Sequence, residues 1–429
     1  MTSNRQCDAI EKQQHDAAAR AALLDLLRTR HADTGSRFDV APTTDRDVLL
    51  VASELLANPA DITSNADRTI ADAGFEVESI GCLDDRVVRI HRPNTDRERV
   101  DDLRAALAAE KVQTSFAYVT PNKVVIKSEA TPERADHGSI RRVSRRGADH
   151  PALTIPVAIL DTGVALCGRD DGWLQGLETE ANRDPLDVFP RPNGLLDFAA
   201  GHGTFIAGLF EQVDGDLDLR VRRVLDTDGI VGEVDVACAL VTCVREEVTP
   251  GGKLVVNLSL GTDTLDGEPP LALRVALDLV REIEDERSAE VMLVAAAGND
   301  GLSQHCWPAA FAETDDRVIA VAALDEHDRP ANWSTHGPWV TCSTVGVSVV
   351  STFVTGKEDP GIDARWERFG RNAWASWTGT SFAAPQVAAR IASIAAARGV
   401  SLAAAKEQLF ADAGIGTDPN YGTLLKLRP

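Results

Sequence analysis

The sequence predicts an α/β protein: a doubly wound, mostly parallel sheet flanked by helices, preceded by a small α+β domain of ferredoxin-like layout. Two observations predict the large domain. "IPVAILD", "KLVVNLSL", "EVMLVAAAG" and "RVIAVAAL" are short, almost wholly apolar runs bounded by turns, which is how strands covered on both faces read. Between them, "PPLALRVALDLVREIEDE" places Leu273, Leu277, Val280 and Ile283 at helical spacing with charges opposite, so strands alternate with helices. A third observation predicts the small domain: elements in the order β-α-β-β-α-β over residues 46–128.

Residues 1–45 hold one helical stretch, Ala9–Arg30, and a loop with Gly35 and Pro42. In 46–128, "DVLLVASEL" reads as a strand and "ITSNADRTIADAG" as a helix closed by Gly74. "FEVESI" and "RVVRIHR" alternate as strands around a Leu83–Asp85 turn, "DRERVDDLRAALAAE" is a second amphipathic helix, and "NKVVIKS", Asn122–Ser128, is the expected final strand. Residues 129–150 are polar and charged, the composition of an exposed linker and of a segment open to processing. Residues 151–429 form the large domain.

At 429 residues, 44% hydrophobic and 26% charged, the chain has the composition of an ordinary globular protein. A net charge of −22 excludes nucleic-acid and anionic-membrane partners, both of which favour a basic face. No run approaches the roughly 18 apolar residues of a membrane span, and the opening residues lack a secretory signal pattern, so a cytoplasmic location is expected. Seven scattered cysteines do not resemble a disulfide framework, and the closest pair, Cys238 and Cys243, fits no zinc spacing. All seven read as reduced thiols. Scattered Asp and Glu read as solvated surface.

In doubly wound sheets, functional groups gather at the carboxyl ends of strands. Asp161 ends the first apolar strand. His202 lies between two glycines at a helix start, where other backbone can approach the ring closely. Asn299 follows Gly298 at the end of a third strand. Ser381 lies in "GTSFAAP", at the start of an alanine-rich helix that tolerates Pro385 in its first turn. These residues suit one chemistry. A serine hydroxyl needs an adjacent base, a histidine supplies it, and a carboxylate fixes the tautomer and balances the imidazolium charge. Asn299 and the Ser381 backbone N–H are then the natural donors to a developing oxyanion.

The blocks "VAILDTGV", "GHGTFIAG", "VVNLSLG", "VAAAGND" and "GTSFAAP", in that order, resemble the signature blocks of the subtilisin-like serine peptidases, the subtilases of peptidase family S8. The resemblance covers Ile155 to the end. It implies a serine endopeptidase with Asp161, His202 and Ser381 as the triad and Asn299 in the oxyanion hole. It also implies an extended polypeptide substrate between Gly229-Ile230-Val231 and Ser259-Leu260-Gly261, with Ala296 and Gly298 walling the first specificity pocket and Cys306 near its floor. Small walls there suit a large apolar side chain. Calcium is common in the family, but no acidic loop here matches a recognisable site, and the chemistry requires no cofactor.

Two departures stand out: Phe205, where many members carry a second histidine, and the Trp- and Arg-rich stretch from Phe353 to Trp377. By size and position, residues 46–128 resemble a subtilase propeptide. That implies an intramolecular inhibitor and folding aid, released by a cut within 129–150, and the need for a brake leaves room for an activating protein partner. The rival readings are a serine-dependent peptide ligase or cyclase and a non-catalytic binding protein. The second fits poorly with all four chemical positions present.

Overall fold

A computed structural model describes residues 22–32, 38–43, 47–121, 132–136, 138, 140, 155–362 and 365–427. Its largest sheet has eight strands. From one edge they run Asp218–Arg223, Pro156–Asp161, Lys253–Leu258, Glu290–Ala296, Val318–Leu324, Cys342–Val345 and Gly422–Leu425, all parallel, with Gly414–Asp418 antiparallel at the far edge. The apolar runs divide their side chains between two layers because successive residues of a strand face opposite ways. Val157, Ile159, Val255, Val294 and Val321 join the layer under helices His202–Val213 and Thr380–Arg398. Ala158, Leu160, Val256, Leu293 and Ala295 join the layer under helices Glu233–Glu247 and Leu271–Arg287. Leu273, Leu277, Val280 and Ile283 are buried in this second layer, as their spacing predicts.

The N-terminal region forms an antiparallel sheet in the order Glu76–Ser79, Val88–His91, Asp47–Ala57 and Thr114–Pro121. Helices Ser64–Asp72 and Arg97–Ala109 cover it through Ala66, Ile70, Val100, Leu103 and Leu107. This is the expected ferredoxin-like order with a different last strand. The strand expected at Asn122–Ser128 lies outside the described residues, and "TSFAYVTP" takes the place in the sheet. That strand is buried on both faces, Phe116 and Tyr118 in the small domain's core and Ala117 and Val119 toward other clusters, so it lacks the polar alternation of a half-exposed strand. Phe38–Pro42, expected as loop, is a strand paired with Asp47–Val51. Pro42 falls at its end, where a missing N–H is tolerated.

Two segments tie this region to the large domain. Thr114–Pro121 pairs antiparallel with Ile230–Gly232, and Glu133–Ala135, inside the expected linker, pairs antiparallel with Trp374–Ser376. The described part of the N-terminal helix, residues 22–30, also packs against the large domain: Leu27, Phe38, Val119 and Ile230 share one apolar cluster. The all-reduced reading of the cysteines is corrected. Cys82 and Cys238 form a disulfide, while Cys167, Cys243, Cys306 and Cys342 are not in disulfides. The partners stand 156 residues apart, so no local spacing could reveal the pair. No single described helix is long and apolar enough to cross a membrane.

Candidate active site

Asp161 closes strand Pro156–Asp161 and is fully buried. Its Oδ1 lies 2.8 Å from His202 Nδ1 and accepts the Thr162 N–H at 2.7 Å. His202 opens helix His202–Val213 after Gly201, whose φ of 83° is left-handed. The flanking glycines act as the sequence suggests. A Cβ at Gly203 would stand 2.1 Å from the Gly163 carbonyl oxygen, and one at Gly201 would stand 2.7 Å from Val354. The aspartate turn and the histidine helix can therefore interlock only through bare backbone.

Asp184 ties the same two segments together, and no motif marks it. Its Oδ2 accepts the Thr162 hydroxyl at 3.1 Å and the Gly201 N–H at 2.8 Å, while Thr162 Oγ1 accepts the Gly203 N–H at 3.0 Å. Burial pushes the Asp184 carboxyl up to about 6, against the pull of these donors.

Ser381 is the second residue of helix Thr380–Arg398 and 5% exposed. It does not cap the helix, since Gly379 holds the cap position. Its hydroxyl donates to the Ser259 carbonyl at 3.3 Å, and the Ser259 hydroxyl donates to the Ser381 carbonyl at 2.8 Å. Pro385 explains the second bond. It lies in the second turn rather than the first, and having no N–H it leaves the carbonyl four residues back, that of Ser381, without its helical donor. The Ser259 hydroxyl takes that position and fixes the serine against the Ser259–Gly261 segment. Phe382 carbonyl likewise accepts the Gln386 side-chain amide at 2.7 Å.

Asn299 follows Gly298, whose φ is 103°. Its Oδ1 accepts the Thr380 N–H at 2.9 Å and the Thr380 hydroxyl at 2.8 Å. A backbone N–H can only donate, so these bonds fix the amide with oxygen toward the helix start and NH₂ on the opposite side. That NH₂ lies 3.6 Å from where a Gly379 Cβ would stand, two residues before Ser381.

The departure at Phe205 has a packing reason. Phe205, Trp377 and Phe382 pack edge-on and tilted against one another, and the His202 ring packs against Trp377 and Phe382 with centroids 5.4 and 5.3 Å away. The stretch from Phe353 to Trp377 contributes buried Phe353, Phe369, Trp374 and Trp377 to the core beside the histidine, and leaves Trp366 exposed.

Of the substrate-binding residues, Gly229 turns the chain at φ 77° into strand Ile230–Gly232, so Ile230 and Val231 lie on an edge. That edge is occupied by the N-terminal domain: Val119 pairs with Gly232, Thr120 with Val231 and Pro121 with Ile230. On the other side, after Ser259, Leu260 and Gly261, the Thr262 hydroxyl donates to the Val119 carbonyl at 2.7 Å. Gly261 and Gly298 face one another across Cys306, whose Sγ lies 2.5 and 3.1 Å from where their Cβ atoms would stand. Ala296 packs in the layer beneath the serine helix.

The acidic residues are not all solvated surface. Asp197, Asp226 and Asp228 surround the turn before Gly229 and meet Arg30 and His31 from the N-terminal segment. Arg30 reaches Asp228 at 2.8 and 3.0 Å and Asp197 at 2.5 Å, and His31 lies 3.3 Å from Asp228 and stacks on Phe189. Burial alone would raise the Asp228 carboxyl, but bonds from His31 and Arg30 hold it below the usual range. Buried Glu233 accepts the Tyr118 N–H at 2.9 Å and the Ala272 N–H at 3.0 Å, joining strand Thr114–Pro121 to the start of helix Leu271–Arg287. Among the described residues, no group of three or more His, Cys, Asp or Glu is arranged to hold a metal ion.

A buried carboxylate on a histidine, a serine at a helix start and a side-chain amide beside it, on a parallel sheet in this chain order, define the subtilisin-like class. The subtilase family profile matches residues 154–409, more than half of the chain, and the chain belongs to that family. It is 31% identical over 276 residues to a thermophilic serine proteinase of Bacillus sp. strain AK1, covering 62% of this chain and 59% of that protein. To subtilisin BL of Lederbergia lenta it is 28% identical over 261 residues, covering 58% and 80%. The chain thus spans little more than half the length of the first of these relatives. The crystal structure of fervidolysin from Fervidobacterium pennivorans, a keratinolytic enzyme related to subtilisin, superposes with a TM-score of 0.58 at 19% identity, covering 88% of this chain and 60% of that one. This last likeness is one of fold.

Proposed function

We propose that this chain is a serine endopeptidase whose N-terminal domain holds it in check. The Asp161–His202 bond carries the first half of the reading. With Nδ1 turned to the carboxylate, Nε2 is left for the serine. For attack, the Ser381 hydroxyl leaves the Ser259 carbonyl, gives its proton to His202 and bonds to the scissile carbonyl carbon. Asp161 balances the imidazolium charge. Negative charge on the carbonyl oxygen meets the Asn299 NH₂ and the Ser381 backbone N–H. His202 then protonates the leaving amine, and water repeats the cycle on the acyl-enzyme.

The pairing of Thr114–Pro121 with Ile230–Gly232 carries the second half. Substrates that bind as an added strand need an open edge, and here the edge and the Thr262 hydroxyl are both taken. The strand Glu133–Ala135 adds to this by pairing with Trp374–Ser376, immediately upstream of Ser381.

The test is labelling of the full chain by a fluorophosphonate probe beside Ser381→Ala, read by intact mass before and after limited proteolysis. A label that depends on Ser381 and strengthens once the N-terminal domain is cut supports both halves. A label equally strong before cutting removes the brake, and no Ser381-dependent label in either state removes the enzyme.

A further inference from the structure

The disulfide joins the two parts of the molecule. Cys82 lies in the turn Gly81–Leu83 of the N-terminal domain, and Cys238 lies on helix Glu233–Glu247, which starts immediately after the edge strand Ile230–Gly232. Their Cα atoms stand 5.3 Å apart, and both residues are half-buried rather than sealed in the core. The surrounding contact is built. Ile80, Leu83 and Val87 enter the apolar layer of the two large-domain helices, beside Val234 and Val241. Around its rim, Arg245 bonds Asp84 at 2.7 and 2.8 Å and the Cys82 carbonyl at 3.4 Å, and Arg86 bonds Glu282 at 2.6 and 2.7 Å.

We propose that Cys82–Cys238 is a thiol–disulfide exchange site that makes release of the N-terminal domain conditional on reduction by a dithiol. The inference rests on the reading of that domain as an inhibitor. A cut in the chain between the domains leaves them joined through the sulfurs. The inhibitor strand then faces its edge at the millimolar effective concentration of a short tether, and rebinds after each opening. Reduction breaks that link. One thiolate of the dithiol attacks Cys82 or Cys238 sulfur, the other cysteine leaves as thiolate and takes a proton, and the second thiol of the reductant resolves the mixed disulfide. Two electrons and two protons pass to the cysteine pair, and the reductant departs as a disulfide. Only the non-covalent contacts then hold the domain, and dilution removes it.

The experiment uses the full chain with a recognition sequence for a specific protease inserted at the exposed Gly138. After the cut, the protein is diluted to nanomolar concentration with or without dithiothreitol. Separation of the fragments is followed by size and mass, and Ser381 labelling by fluorophosphonate. Without reductant, the cut wild type stays as one covalent species and labels slowly. With dithiothreitol its fragments part and labelling rises at least about a hundredfold, the lower end of what loss of a tether removes. Cys82→Ser, and independently Cys238→Ala, part and label fast without reductant. A cut wild type that parts without dithiothreitol overturns the tether. Fragments that part only on reduction, with labelling unchanged, leave the disulfide standing and overturn the inhibitor reading, and with it the proposed control.

Discussion

Arg30 offers the sharpest test of how the N-terminal segment is held. Its guanidinium, 6% exposed, faces Asp228 and Asp197, whose side chains are 0% and 3% exposed. Arg30→Met keeps an apolar stem and removes the charge, leaving both carboxylates in place. Removing one partner of a buried ion pair costs about 3–5 kcal/mol. Asp197 retains the Thr227 hydroxyl and the Val188 and Phe189 N–H groups, and Asp228 retains the Phe198 N–H. The lower end, about 3 kcal/mol, is therefore expected, a factor of about 10² in opening of residues 22–32. Hydrogen exchange read by mass spectrometry on the peptide that contains the His31 N–H, bonded to Leu27 carbonyl, measures that opening directly. A Ser381→Ala background excludes self-cleavage. In the double variant Arg30→Met/Asp228→Asn, part of the loss should return, because the stranded charge is gone. A change under about threefold, or the same exchange in single and double variants, would refute the claim that this charge pair holds the segment.

Three further outcomes follow from the site. Asn299→Asp keeps the oxygen that holds Thr380 but replaces the NH₂ by an acceptor, so kcat/KM should fall by at least about 10², with melting temperature little changed. Asp226 is pushed up to about 6 by burial, against the Ile230 N–H and nearby His31; its Oδ1 takes the Ile230 and Asp228 N–H groups, and among the described residues Oδ2 has no hydrogen-bond partner, lying 3.8 Å from His31 Nδ1. A carboxyl raised on folding stabilises fully below about 4 and loses that contribution as pH rises to 6. Urea unfolding should therefore show Asp226→Asn, which keeps both Oδ1 bonds, gaining up to about 3 kcal/mol at pH 7 and almost nothing at pH 4. Cys306→Gly vacates the space between Gly261 and Gly298, so peptides with a large apolar residue before the scissile bond should gain about tenfold or more over alanine there, measured as a ratio of kcat/KM.

The parallel sheet was legible because buried strands leave unbroken apolar runs, and the candidate residues Asp161, His202, Asn299 and Ser381 because each sits in a short block at a strand or helix end. Thr114–Pro121 was hidden for a physical reason: sealed on both faces, Phe116, Ala117, Tyr118 and Val119 show no alternation until their separate clusters are known. Asp184 could not be read at all. It acts through the Thr162 hydroxyl and Gly201 N–H, which are brought to it by tertiary structure. The same holds for Arg30 and His31, whose carboxylates lie far along the chain, and for Cys82 and Cys238. Long-range partners of single residues leave no period and no spacing behind.

The most direct test of the central claim is turnover. The chain cut at an inserted site at Gly138 and then reduced is incubated with an unfolded protein substrate, and peptide products are followed by mass spectrometry. Multiple turnovers are expected of the wild type, none of Ser381→Ala, and little of the uncut chain. Equal cleavage by wild type and Ser381→Ala, or no cleavage by either once the N-terminal domain has gone, would contradict that claim.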